Sequence, residues 1–185
     1  GSYNDFWVLY WFGTPIFVVL GLPPEAVKRY LWSFLLTFVL CGTLLAFAFS
    51  SVGPIFYADF FDQDRYAELM QRLNVLDGMD GVLNYATYLL DSYEQQDAVF
   101  GTGISAIPSM HVAVVTLNAW LLTSINRWAG IIAWAFAALI LFGSVYTGWH
   151  YAIDGYLSII VVTVIWFVVG KAHKLNQRTE SRKGA

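Results

Sequence analysis

Two short stretches hold the side chains best suited to do chemistry. One is Gly143-Ser144-Val145-Tyr146-Thr147-Gly148-Trp149-His150-Tyr151-Ala152-Ile153-Asp154, set between two strongly apolar runs. A helix turns every 3.6 residues, so positions four apart share a face. His150 and Asp154 have that spacing. The carboxylate is expected to reach one ring nitrogen and hold the imidazole in one tautomer, leaving the other nitrogen as nucleophile or base. The other stretch, Pro108-Ser109-Met110-His111, opens a further apolar run. Proline suits a helix entry, where its missing N–H costs nothing. The free N–H groups and positive dipole end of such a helix start suit phosphate oxygens, so Ser109 and Met110 are candidate phosphate contacts. A histidine nucleophile backed by a carboxylate, facing a second histidine that shuttles a proton, fits two-step phosphoryl or phosphodiester transfer. His150 would attack phosphorus while His111 protonates the leaving oxygen. His111 would then deprotonate an acceptor that attacks the phosphohistidine.

The elements that must position these residues are apolar. Of the 185 residues, 58% are hydrophobic, 12% are charged, and the mean hydropathy is +0.57. Soluble domains carry about 25% charged residues, whereas uncharged runs of roughly 17 to 21 residues can cross a bilayer about 30 Å thick. The chain therefore reads as an all-α, polytopic membrane bundle. Five spans are expected: 6–22, broken at Gly13-Thr14-Pro15; 30–50; 108–122; 128–147; and 150–170. The opening Gly1-Ser2 has the form of a cloning scar and leaves room for a sixth span upstream. Residues 1–175 read as one domain and 176–185 as a disordered basic cytoplasmic tail. Cys41 is the single cysteine, so no internal disulfide forms.

Residues 55–107 differ in kind. They carry Asp59, Asp62, Asp64, Glu68, Asp77, Asp80, Asp91, Glu94 and Asp97. Phe60, Phe61, Leu69, Met70, Leu73 and Leu76 fall on one helical face, and Val82, Tyr85, Ala86, Leu89, Leu90 and Tyr93 on another. Two short amphipathic helices are expected, separated at Asp77–Gly81, lying on the membrane surface or forming a lid over the site. The positive-inside rule orients the rest. Lys28, Arg29, Arg127 and the tail residues Lys171, Lys174, Arg178, Arg182 and Lys183 alternate to one side, which is read as cytoplasmic. His111, His150 and Asp154 fall with the acidic segment on the extracytoplasmic side. Asp154 lies about one turn into an apolar run, where a carboxylate costs up to roughly 2.5–3.5 kcal/mol, so a functional role is the default.

Pro108-Ser109-x-His111 and His150-x-x-x-Asp154 resemble the second and third signature motifs of the type 2 phosphatidic acid phosphatase (PAP2) superfamily. The resemblance covers about residues 50–170. It implies that His150 is the nucleophile, that Asp154 orients it and that His111 is the general acid. Phosphatases of the family carry a Lys…Arg-Pro first motif and a Ser-Arg pair six residues before the nucleophile. Here the arginine position is Ser144, and the expected first-motif site reads Ser51-Val52-Gly53-Pro54-Ile55-Phe56-Tyr57, with no base. A site short of cations matches a singly charged phosphodiester better than a phosphomonoester. That departure, together with the run from Ser105 to His111 and the His150-Tyr151-x-x-Asp154 ending, resembles the Aur1-type inositolphosphotransferase branch, with sphingomyelin synthases more distant. Arg65 and Arg72 are the basic residues placed on the active side.

The reading is a lipid phosphotransferase that moves an inositol phosphate-like headgroup between lipids. It is expected to need no metal or cofactor, to have membrane lipids as partners and to bind no nucleic acid. Tyr57, Ser105, Ser144, Tyr146 and Thr147 are further candidate donors to substrate, each with helix packing or capping as an equal alternative. Trp149 and Tyr151 suit the interfacial aromatic belt. Three alternatives stay open: a PAP2-type lipid phosphate phosphatase using water as acceptor, a metalloenzyme ligated by His111, His150 and Asp154, and a non-catalytic carrier or scaffold.

Overall fold

A computed structural model describes residues 2–95 and 104–183; of residues 2–9, 12 and 178–183 it describes the backbone alone. Among the described residues the chain is all-helical, without strands. Helix α1, Ser2–Gly21, runs unbroken through Pro15. Helix α2, Pro24–Ala48, opens with Pro24 in its first turn and Glu25 beside it, a favourable entry. Within it, Phe38–Leu45 winds as a π-helix. Three short cap helices follow: α3, Tyr57–Phe61; α4, Ala67–Val75; and α5, Asp80–Glu94. The core then forms from α6, Met110–Ile125; α7, Arg127–Tyr146; and α8, Ala152–Lys183.

Pro24–Ala48, Arg127–Tyr146 and Ala152–Gln177 are long and apolar enough to cross a membrane. Helix α6 is shorter, about 24 Å at 1.5 Å per residue. It is also the most enclosed: Val112 through Ala119 and Leu121 are all buried. On one side Ala113, Leu117 and Leu121 pack with Val18, Tyr30, Cys41, Val162 and Trp166. On the other, Val112, Val114 and Val115 pack with Ala137 and Ile140. The last three helices therefore pack as the core, with α1 and α2 added to it.

Apolar contact alone gives helices little register in a lipid-like surrounding, so buried hydrogen bonds matter. The Tyr30 hydroxyl donates to Asn118 Oδ1 at 2.8 Å, and Asn118 Nδ2 donates to Thr14 Oγ1 at 3.3 Å, joining α2, α6 and α1. Trp120 Nε1 donates to Thr163 Oγ1 at 2.9 Å, joining α6 to α8. Asn126 Oδ1 accepts from the N–H groups of Trp128 and Ala129, capping α7 and turning the chain back within one residue. As a result, the start of α6, the end of α7 and the start of α8 share one end of the bundle. Pro24, Arg127 and the far part of α8 lie at the other.

Besides the expected break at Gly13-Thr14-Pro15, which α1 runs through, three sequence expectations change. The face expected across 60–76 is split, because Asp62 turns left-handed at φ 50° and ends α3. Only Leu73 of that face is buried, while Phe61 and Leu76 stay exposed. The last helix begins at Ala152, so His150 precedes it. The helix also continues to Lys183, where a disordered tail was expected from 176; Lys, Gln, Arg and Glu are good helix formers and carry it on. Asp97 and Gly101–Gly103 lie outside the described residues.

Candidate active site

Three backbone segments meet at the capped end of the bundle. Ala106 N–H donates to the Ser51 carbonyl at 2.8 Å, and Ile55 N–H donates to the Gly148 carbonyl at 2.9 Å. A Cβ at Gly53 would lie 2.1 Å from the Trp149 carbonyl oxygen, so only glycine allows this approach. His150 N–H donates to the Ser144 carbonyl at 3.2 Å, closing the turn after α7. The segment carrying His150 is thus fixed from two sides by main chain.

The side chains then fall into place. His150 is 8% exposed, and its Nδ1 sits 2.7 Å from the Ala106 carbonyl oxygen. A carbonyl only accepts, so Nδ1 carries the proton and Nε2 is the basic nitrogen. The Asp154 carboxylate is fully buried in the first turn of α8, where it suits the positive helix end. Its Oδ2 accepts the Tyr151 N–H at 2.8 Å and stands 3.7 Å from His150 Nδ1. Its Oδ1 has no hydrogen-bond partner. The expected reach of Asp154 to His150 is thus present as an ion-pair contact at 3.7 Å, while the hydrogen bond of Nδ1 goes to the Ala106 carbonyl. The Ala106 carbonyl takes the ring proton, because His150 lies before the helix rather than on its face. Asp154 stands beside the ring, its Oδ2 3.7 Å from Nδ1.

His111 meets this arrangement from α6. Its ring centroid lies 6.1 Å from that of His150, with the planes at 62°. The residue is exposed, although the residues that follow it in α6 are buried. The two helix starts that carry His111 and Asp154 are tied together. Ser158 Oγ lies 2.8 Å from the Asp154 carbonyl and 2.9 Å from the Ser109 carbonyl, and Ser109 N–H reaches the Asp154 carbonyl at 3.4 Å.

The other candidate residues are placed differently. Ser109 is fully buried and caps α6, its Oγ accepting the Val112 N–H at 3.5 Å. Met110 packs toward Gly42 in the π-helical part of α2. Ser144 Oγ donates to the Leu141 carbonyl, and Thr147 Oγ1 to the Gly143 carbonyl, so both satisfy their own helix. Tyr146 stacks on Phe142 and faces outward. Ser105 Oγ reaches the Ile107 carbonyl at 3.3 Å. Tyr57 belongs to an aromatic group with Phe61 and Tyr66, and Tyr66 in turn lies 6.1 Å from the Tyr151 ring. Burial, then the neighbouring Tyr66 hydroxyl, pushes the Tyr151 hydroxyl in the connection before α8 up to about 12. Arg72 is engaged by Glu68 on an exposed face. Among the described residues no three His, Cys, Asp or Glu side chains are arranged to hold a metal ion.

Ala106, Ser158 and Gly53 were not singled out in the sequence as parts of the site. Ser158 alone leaves a trace there, four residues beyond Asp154. Ala106 acts through its carbonyl, which every residue possesses.

No curated protein and no solved structure matched the chain. The model of the PAP2 superfamily does match it, over residues 2–168, a range that takes in both histidines, Asp154 and every helix that positions them. That superfamily is generally one of phosphatases and phosphotransferases, and this chain belongs to it.

Proposed function

We propose that the protein is an integral-membrane phosphotransferase that moves a phospho-headgroup, inositol phosphate-like, from one lipid to another through a phosphohistidine. The observation that carries this reading is the pairing of two histidines 6.1 Å apart, one with its Nδ1 held by a backbone carbonyl. His150 Nε2 attacks the phosphorus of a phosphodiester lipid. The bond from phosphorus to the lipid alcohol breaks, and protonated His111 gives its proton to the leaving oxygen. Neutral His111 then takes the proton of an acceptor hydroxyl, whose oxygen attacks phosphorus as the P–N bond breaks. Asp154, 3.7 Å from His150, offsets the positive charge that develops on the ring.

Ser144 supports a diester donor. It stands where phosphatases of the family carry arginine, and its hydroxyl is occupied by the Leu141 carbonyl. The bases at the opposite end of the bundle support an extracytoplasmic site. The test is a headgroup-fate assay: protein with phosphatidylinositol, with and without ceramide or diacylglycerol, beside phosphatidic acid, with products read by mass spectrometry. Acceptor-dependent formation of a new phospholipid is expected. Release of inorganic phosphate from phosphatidic acid, with no transfer, would replace this reading with a phosphatase. Identical products from a His150→Ala variant would remove the site assignment altogether.

A further inference from the structure

At the end of the bundle away from the histidines, α2 and α8 enclose a groove of about 360 Å³. Trp32, Leu36, Val168 and Val169 form its apolar walls, and Lys28 and Arg29 its polar rim. Arg29 is laid across α8. Its guanidinium carbon sits 3.8 Å from the centre of the Trp166 ring, and Nη2 donates to the Trp166 carbonyl at 3.0 Å. Gly170 makes room for it, since a Cβ there would come within 2.7 Å of the guanidinium. This arrangement leaves Arg29 Nε buried with no hydrogen-bond partner. A buried guanidinium N–H without an acceptor is costly. Lys28 beside it is exposed, its amine 3.7 Å from Glu25. Glu25 is itself taken by His173 and by Gln177 at 2.7 Å. With Lys28 and Arg29 positive and Glu25 negative, the rim keeps a formal charge of +1 with His173 neutral.

We propose that this groove binds an anionic phospholipid of the adjacent leaflet, its phosphate on Lys28 and Arg29 and an acyl chain along Trp32, Leu36 and Val168. Three features point to that occupant. The charged rim and apolar walls match the two ends of a lipid, and basic pockets between membrane helices suit such headgroups. A phosphate that draws the guanidinium off the Trp166 ring supplies the acceptor that the buried Arg29 Nε lacks. The groove also flanks the far part of α8, and Gly170 is roughly 27 Å along the helix axis from Ala152 at 1.5 Å per residue. A lipid held there cannot reach the histidines, so this is a second lipid site and not the substrate's.

Native mass spectrometry of the full chain in mild detergent tests the proposal, with phosphatidylglycerol and phosphatidylcholine as the probes. Phosphatidylglycerol should be retained preferentially. Lys28→Glu should lower that preference by about fivefold or more, since each base near the headgroups contributes about one such factor. Lys174→Glu makes the same charge change outside the groove and should leave the preference intact. Equal retention of the two lipids would overturn the proposal, as would an equal effect of the two variants. Competition by inorganic phosphate alone would also overturn it, by making the occupant a free anion. None of these readouts depends on turnover, so a failure of the transfer reaction would count against the proposed function and leave this result standing.

Discussion

The segments around the histidines and the cap above them are built in opposite ways. Around His150, positions are set by main chain: Ala106 on Ser51, Ile55 on Gly148, His150 on Ser144, and Gly53 against the Trp149 carbonyl. Side-chain identity hardly enters, apart from glycine where two backbones nearly touch. The cap is held by side chains. Ile55, Phe56, Ala86 and Leu89 form its small cluster, with Trp149 packed against it, while Phe61, Val75 and Tyr93 stay exposed. On the proposed reading His150 Nε2 attacks phosphorus, and such a nitrogen must be placed within fractions of an ångström, which a hydrogen-bonded backbone achieves. A small cluster with exposed apolar edges opens cheaply, as a lid over the site would have to.

That contrast is sharpest where a change strikes the chemistry itself. His150→Ala should cut the proposed headgroup transfer by about a thousandfold or more, since it removes the proposed nucleophile. Activity within tenfold of the parent would mean that another group attacks phosphorus. Gly53→Ala adds a single methyl to a residue with no part in the proposed chemistry, yet it forces the segment carrying Trp149 and His150 to move. A misplacement of about 1 Å there should cost roughly a hundredfold in turnover. Unchanged kcat in a folded Gly53→Ala protein would show that main-chain placement is not what governs the site. Asp154→Asn keeps the shape and removes the charge. Because the Ala106 carbonyl still holds the His150 proton, the loss should be roughly tenfold to hundredfold, the scale of one charged interaction. A loss as large as that of His150→Ala would restore Asp154 as the direct partner of the ring.

The sequence was most legible where function needs particular side chains. The spacing of His150 and Asp154, and the entry Pro108-Ser109-Met110-His111, led directly to residues that the structure brings together. The geometry between them was not legible. Ala106 is 44 residues from His150 and contributes a carbonyl, so no pattern of residue types could reveal it. The hydroxyls of Ser144 and Thr147 looked like substrate donors because a sequence cannot say whether a hydroxyl is already spent on its own helix. Apolar runs gave the long helices, but the π-helical turn at Phe38–Leu45 has no periodicity signal of its own. The cap was legible as amphipathic and illegible in detail, because the break at Asp62 depends on one left-handed residue.

The cap should respond more weakly, and in a different assay. Leu89 is 6% exposed at the centre of its cluster. Leu89→Ala should destabilise that cluster by about 2 kcal/mol or more and raise amide hydrogen exchange across 80–94. Turnover should fall only a few-fold, because the histidines are held from below. A thousandfold loss would place the cap inside the catalytic machinery and erase the distinction between the two regions. The smallest effect is expected at Val75, which is 84% exposed at the end of α4. An apolar side chain that no protein atom covers has nothing to lose in detergent, so Val75→Ser should leave both Tm and turnover unchanged there. At a bilayer the same side chain can rest among headgroups and acyl chains, as interfacial helices do. Turnover on lipid vesicles should therefore fall in Val75→Ser while the detergent assay stays level. Equal activity in both would mean that α4 faces water. The cap would then be a cover held by its own cluster, with no part in seating the enzyme on the lipid surface.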